Sequence, residues 1–314
     1  MSVYFVMRNG PMRRLVQGKD IHKFLGFAKP IFADSGGFTN GRSETHYSPI
    51  EVLNFQESIN CDALATLDYP LFDVNRREKE RRILNTIRNI GLAIEKRTDK
   101  QTLLYACIHG ETADEAVRFI DRLEDHSYLD DIDALAIGSV VPRKDQFIEI
   151  LEIVKAVRTR TGKPIHVFGI SGFKIIPFLL MAGADSFDSK TFAHASRFRY
   201  WIDPTTLTRI HIEKLRRRDC HCKACRTYEL KDCLAPGSLG ASRIAAHNFQ
   251  IYTELVSRLG RSLSDPNRFL TAIRPCLDKI TNFDSRVLPV LQEKELIPQE
   301  FVDEYDSERR EPNN

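Results

Sequence analysis

The chain has 314 residues, 42% hydrophobic and 28% charged, with 46 Lys plus Arg against 43 Asp plus Glu for a net charge of +3. These are the proportions of a soluble globular protein that buries ample core without disulfide staples, and no global charge bias selects a polyanion partner. No apolar run approaches the ~20 residues of a membrane span, and the opening MSVYFVMRNGPMRR lacks the ordered regions of a signal peptide, so a cytoplasmic enzyme with no membrane partner is expected.

In chain order, short apolar runs fall at residues 3–7, 30–33, 63–67, 102–108, 134–137, 165–170 and 186–187. Amphipathic segments lie between them, for example 112–124 and 146–159. Strands alternating with helices of this length predict βαβ units and a parallel sheet. Nearly every run ends in a polar or glycine-containing cluster: Asp34-Ser35-Gly36-Gly37, Asp68-Tyr69-Pro70, His109-Gly110-Glu111, Gly138-Ser139, Gly169-Ile170-Ser171-Gly172 and Asp188-Ser189-Lys190. A (β/α)8 barrel builds its active site where strands end. A doubly wound sheet does so too, but no GxGxxG fingerprint follows a strand here. The expected fold is an α/β, TIM-type (β/α)8 barrel, shortened or irregular because seven strands are readable.

After Tyr200 the alternation stops. Residues 208–218 look helical and basic, and a Gly/Pro/Ser loop at 234–242 leads into a long helix from 243 to about 259. The last stretch, 293–314, is acidic and polar and reads as a frayed tail. The division expected is a barrel core at 1–200, a cysteine-bearing subdomain with its following helix at 201–260, and a C-terminal helical segment with a polar tail at 261–314.

Between Lys190 and Arg226 there are ten Lys or Arg and three acidic residues, an excess of +7 that leaves about −4 elsewhere. This stretch, with Lys190, Arg197, Arg199, Arg216, Arg217 and Arg218, suits a phosphate backbone, although a solvated helix face has the same composition. It ends in Cys220-His221-Cys222-Lys223-Ala224-Cys225, a C-x-C-x-x-C run, with His247 placed 22 positions after Cys225. Three thiolates and one imidazole make a closed, structural zinc site with no position for a catalytic water. Cys233, His211 and His221 are rivals for the fourth place; His247 is preferred because it opens a helix beyond a loop. Cys61, Cys107 and Cys276 are isolated and read as core.

Asp34 and Asp188 stand at strand ends beside small residues. Paired carboxylates of this kind can carry glycosidic chemistry through a covalent glycosyl-enzyme, while either alone is as well explained as a helix N-cap. DSGGF at 34–38, IG at 137–138, FG at 168–169, AGAD-x-FDS at 182–189, and CxCxxC followed by HN at 247–248 resemble the guanine transglycosylases, zinc-bearing barrels that exchange guanine for a 7-deazaguanine in tRNA or DNA. The resemblance implies that Asp188 is the nucleophile at C1′ and Asp34 the general acid/base. It implies that Phe38 stacks on the base, that Asp68 reads the guanine edge, that the backbone of Gly138, Ser139 and Val140 touches the base, and that Phe168 covers its other face. His109 stands where the tRNA enzymes have a glutamine that holds the base, so it counts as a base-binding residue and the hydrogen bonding of the pocket differs. The Pro-Thr-Arg segment that follows the nucleophile in the tRNA enzymes is replaced by Ser189-Lys190-Thr191-Phe192-Ala193-His194-Ala195. That replacement, with only 33 residues ahead of DSGGF, resembles the relatives that insert 7-deazaguanines such as 7-cyano-7-deazaguanine into DNA, with Lys190, Arg197 and Arg199 on phosphates. The expected partners are DNA, with tRNA as the alternative, the free base, and a second copy of the chain or helper proteins. A zinc-bearing nucleic-acid binder without catalysis is the rival from another class.

Overall fold

The computed structural model describes residues 1–310, apart from 144, 145, 171, 174, 217, 218, 284 and 285. Arg217 and Arg218 of the basic stretch and the end of the tail therefore lie outside the described residues. The chain divides into two compact units, Met1–Phe168 with Ala182–Phe187, and Gly169–Met181 with the chain from Asp188 onward.

The first unit is built on a parallel sheet of six strands, β1 (Phe32–Ala33), β2 (Ala63–Ala65), β3 (Leu103–Ile108), β4 (Ala134–Ile137), β5 (Ile165–Val167) and β6 (Ser186–Phe187). Their spatial order is their chain order, 1-2-3-4-5-6. A sheet that never reverses direction has no switch point, which is the winding of a barrel and not of a doubly wound fold. The fold class is α/β of TIM type, shortened to these six strands among the described residues. β4 is buried at all four positions, as expected for a barrel strand with helices on its outer face and packed side chains on its inner face.

Three of the intervening helices begin at side-chain caps. Ser48 and Glu51 form a reciprocal capping box with Pro49 at the first turn of Pro49–Ser58. Asn75 accepts from the Glu78 N–H at the start of Arg76–Lys96, and Thr112 accepts from the Glu115 N–H at the start of Ala113–Asp125. Ala113–Asp125 buries Ala116, Phe119, Ile120 and Leu123 on one face.

The first expected strand, residues 3–7, is instead a helix, Val3–Arg8. Only Ser2 bridges to the sheet, opposite Asp34. Val3, Tyr4 and Met7 then turn to one buried side, a spacing that a five-residue run cannot distinguish from a strand.

The second unit opens with the helix Thr191–Arg197 and a hairpin of β7 (Tyr200–Ile202) and β8 (Arg209–His211), paired antiparallel. The basic helix expected over 208–218 is thus β8 followed by a 3-10 turn, Ile212–Lys214. The reason is local. Asp203 Oδ1 accepts from the N–H groups of Thr205 and Thr206, closing an Asx turn that folds β8 back onto β7. Trp201, Ile212, Cys233 and Ile244 form a small core at this hairpin. The long helix runs Gly237–Ser262, six residues earlier than expected. Gly240 is required inside it, because a Cβ there would overlap the Ala235 carbonyl. The polar end is not frayed up to 310: Gln299–Arg310 is a helix that buries Val302 and Tyr305.

Candidate active site and metal centre

In the first unit the residues after β1 form a tight polar loop. Asp34 Oδ1 accepts from the Gly36 N–H at 3.0 Å, which turns the chain immediately after the strand. Gly36 has φ of +78°, a left-handed conformation that favours glycine, and a Cβ on it would overlap the Tyr4 side chain. Gly37 is required for a different reason. Its missing Cβ is where Asp68 Oδ1 lies, so the Asp68 carboxylate rests against the backbone of the DSGGF loop. Phe38 is 43% exposed. Its ring centroid is 5.1 Å from that of Phe72, and the Arg42 guanidinium lies 4.6 Å from each ring.

Three buried side chains hold the two strand ends that carry Asp34 and Asp68. Gln56 Nε2 donates to the Ala33 carbonyl at 2.8 Å and to the Ala65 carbonyl at 3.0 Å, joining the ends of β1 and β2. Asn89 Nδ2 donates to the Leu67 carbonyl at 2.8 Å, and Thr86 Oγ1 accepts from the Tyr69 N–H at 3.0 Å. Asp68 is thereby fixed from both sides by one helix, at positions three apart. Sequence reasoning passed over all three. Their signal was polar residues at otherwise apolar helical positions.

Asp68 is buried, and its Oδ2 is 3.2 Å from His109 Nε2. The His109 side chain is fully buried, and Nε2 makes no hydrogen bond of good alignment. Its Nδ1 is 2.9 Å from Ser139 Oγ, which also accepts from the Leu71 N–H at 2.9 Å. Ser139 sits at φ +64°, an unusual conformation for a residue with a Cβ. Gly138 lets the imidazole pass, since a Cβ there would stand 2.7 Å from His109 Cε1. Val140 is fully buried. Phe168 is stacked on Phe32 at 5.9 Å and meets His166 edge-on at 4.8 Å. These rings pack on Ala65, Cys107 and Ala136. Asp34, Phe38, Asp68, His109, Gly138, Ser139, Val140 and Phe168 thus all belong to the first unit.

Asp188 begins the long part of the second unit, directly after β6, and is exposed. Its Oδ1 accepts from the Gly169 N–H at 2.7 Å. Ser189 Oγ accepts from the Thr191 N–H at 3.0 Å, a tight turn that precedes the helix Thr191–Arg197. Lys190 and Arg197 are exposed. Arg199 is not disposed in the same way: its guanidinium donates to the carbonyls of Ala235 and Leu234, each at 2.9 Å.

Cys220, Cys222, Cys225 and His247 form the metal-type cluster, with their donor atoms within 4.8 Å of one another. His247 Nδ1 is 3.7, 3.4 and 3.3 Å from the sulfurs of Cys220, Cys222 and Cys225. A tetrahedral ion with M–S of about 2.3 Å and M–N of about 2.0 Å requires N···S separations of about 3.6 Å, so the four donors fit one. His247 lies well inside the helix Gly237–Ser262, not at its opening. Its Nε2 donates to the Ile202 carbonyl at 2.8 Å, which fixes Nδ1 as the ligating atom. Hydrogen bonding from Cys225, together with the His247 ring, pulls the Cys222 thiol down to about 3. Burial pushes the Cys220 thiol up. A cation is what permits three neighbouring sulfurs to be anionic together. Cys233 is in the apolar core beside Trp201. Trp201 stacks on the His247 ring at 4.5 Å, nearly parallel.

Comparison with known proteins gives a consistent result. The family model for queuine tRNA-ribosyltransferase matches residues 2–280. A tRNA-guanine(15) transglycosylase of Methanococcus aeolicus is 28% identical over 96% of this chain and 47% of its own length. Proteins of the same name from Methanocaldococcus jannaschii and Methanosarcina mazei are 28% and 29% identical, over 83% and 73% of this chain and 41% and 47% of their own lengths. The chain spans less than half the length of these relatives.

Proposed function

The chain belongs to the queuine tRNA-ribosyltransferase family, and on that footing we propose that it exchanges guanine in a polynucleotide for a free 7-deazaguanine base. Asp188 attacks C1′ while the bond from C1′ to N9 breaks, and the expelled guanine takes a proton from Asp34. Asp34 then removes the N9 proton of the incoming base. That nitrogen attacks C1′ from the opposite side, and the ester to Asp188 opens to regenerate the carboxylate. Two displacements retain configuration and leave no net redox change. Asp68 accepts from the ring N–H and the exocyclic amine of the base, which a carboxylate does with two oxygens side by side. Phe38 stacks on the base, Phe168 covers the other side, and the backbone of Gly138, Ser139 and Val140 completes the contacts. A base inside a duplex must leave its stack to be reached.

The observation that carries this reading is the enclosed Asp68 carboxylate, seated against Gly37 at the strand end next to Asp34. An enclosed acceptor of that shape selects a purine edge with two adjacent donors. Zinc at Cys220, Cys222, Cys225 and His247 cross-links the second unit and supplies no chemistry to the exchange. Lys190 and Arg197 contact phosphates.

For the polymer, the names of the relatives support tRNA. DNA is the second reading, carried by the segment after Asp188. Where the tRNA enzymes have Pro-Thr-Arg, this chain has Ser189-Lys190-Thr191, and Ser189 Oγ closes a tight turn onto the Thr191 N–H just before a short helix. Radiolabelled guanine incubated with the protein and tRNA, duplex DNA or single-stranded DNA separates the two. Label in tRNA alone supports the first reading, label in DNA alone the second, and label in no polymer refutes the exchange activity.

A further inference from the structure

Resting on that reading of Asp68 as the acceptor for the base edge, we propose that His109 is a positioning residue that never touches the base. Its imidazole, aligned by Ser139, holds Asp68 as an oriented carboxylate. The direction of the relay follows from donors and acceptors. The Leu71 N–H donates to Ser139 Oγ at 2.9 Å, and in the proposed relay the hydroxyl donates in turn to His109 Nδ1, also at 2.9 Å. The Asp68 carboxylate, which can only accept, faces the other ring nitrogen and selects this direction over the reverse. An Nδ1 that accepts leaves the neutral ring its proton on Nε2. That proton faces Asp68 Oδ2 at 3.2 Å. The pair stands at ion-pair distance without hydrogen-bond geometry, so the proposed relay closes when the carboxylate turns on meeting a base.

Burial separates this role from base contact. The His109 side chain is fully enclosed, and Gly138 runs across its Cε1 edge. Asp68 retains 11% side-chain exposure and is the member of the relay that a base can reach. The φ of +64° at Ser139 is the second mark of the device. A residue with a Cβ is strained there, and its hydroxyl is what secures the relay at its far end.

Two measurements test this. In protein labelled with 15N-histidine, the imidazole spectrum identifies the tautomer, and the His109 signals are assigned by their loss in His109→Gln. The expected result is a neutral Nε2–H tautomer that becomes mixed in Ser139→Ala. An Nδ1–H tautomer, an imidazolium at neutral pH, or signals indifferent to Ser139→Ala would overturn the proposal. The second measurement is the preference for guanine over hypoxanthine, which lacks the exocyclic amine that Asp68 accepts from. His109→Phe should reduce that preference by about tenfold, the weight of one well-aligned hydrogen bond, while His109→Gln keeps an N–H donor and most of the preference. If His109→Phe lowers the rates for both bases equally, the residue is merely structural and the proposal falls. A wild-type chain with the Nε2–H tautomer that labels no polymer refutes the exchange activity and leaves the relay standing.

Discussion

The four-donor Cys/His cluster and the proposed base pocket are organised in opposite ways. The cluster is nearly local: three ligands occupy six consecutive positions and the fourth follows 22 residues later. Its donors are placed to hold one ion, which would keep like charges together, and its surroundings contribute one carbonyl, that of Ile202, and one stacked ring, Trp201. The pocket is assembled from Asp34, Asp68, His109 and Ser139, which are each about thirty to forty residues apart in the chain. It needs no ion. Glycines that let carboxylate and imidazole approach the backbone hold it, with buried amides that tie strand ends together. A local site fails when its ligand is removed, whereas a long-range site fails when its spacing is altered.

The largest effect should come from breaking the local site. Cys222→Ala, or chelation, should remove about one equivalent of metal by elemental analysis. The melting temperature should fall steeply, since structural zinc sites contribute on the order of 10 kcal/mol in isolated peptides. Trp201 is the only tryptophan and stacks on His247, so its emission should change with metal content. Unchanged melting and emission in metal-free protein would defeat the contrast drawn above. Equal loss of guanine binding and metal would do so as well.

Asp188 tests chemistry apart from either scaffold. Asp188→Ala should slow exchange by roughly three to four orders of magnitude, at ~1.4 kcal/mol per tenfold, with melting within ~2 °C of wild type. A variant that keeps more than a few per cent of the activity removes Asp188 from the role of nucleophile.

A smaller effect is expected at Gly37. Gly37→Ala places a methyl on the Asp68 carboxylate and should cost about 1–3 kcal/mol of stability while weakening guanine binding. Calorimetric melting together with base titration checks both. A neutral result would mean that the pocket tolerates altered spacing.

The least effect separates two neighbouring arginines. Arg197→Ala should lower the salt slope of log K for the polymer by roughly one and leave stability alone. Arg199→Ala frees the Ala235 and Leu234 carbonyls and should lower melting by an amount equivalent to about 1 kcal/mol. Identical behaviour of the two variants would erase the distinction between a phosphate contact and a structural one.

The same contrast explains what was legible in the sequence. The clustering of the four donors was readable because thiol spacing is itself the signal, although the place of His247 inside its helix was not. The strand ends were readable from alternation, even where a strand is two residues long, as at β1 and β6. The helix at 3–8 was misread because a short apolar run carries no period. The hairpin at 200–211 was missed because its turn depends on Asp203 accepting from two backbone N–H groups. Gln56, Thr86 and Asn89 were passed over for a related reason. Their one trace, a polar residue at an otherwise apolar helical position, does not say which strand-end backbone it bonds, and Ser139 with His109 likewise meets its partners only through the fold.

The dipeptide His247-Asn248 carries one more consequence. His247 takes the Ile202 carbonyl, while Asn248 Oδ1 accepts from the Ile202 N–H at 3.0 Å and its Nδ2 donates to the Tyr200 carbonyl at 2.9 Å. Both edges of one strand residue are therefore read by adjacent positions on one helix. Natural length variation should be unevenly tolerated across this stretch. The turn at 235–237 can gain or lose residues, because the helix that follows simply begins later. An insertion between 247 and 248 would rotate one of the pair by about 100° around the helix and release the strand it grips. Among homologues, gaps should therefore gather before the helix and be absent from the pair.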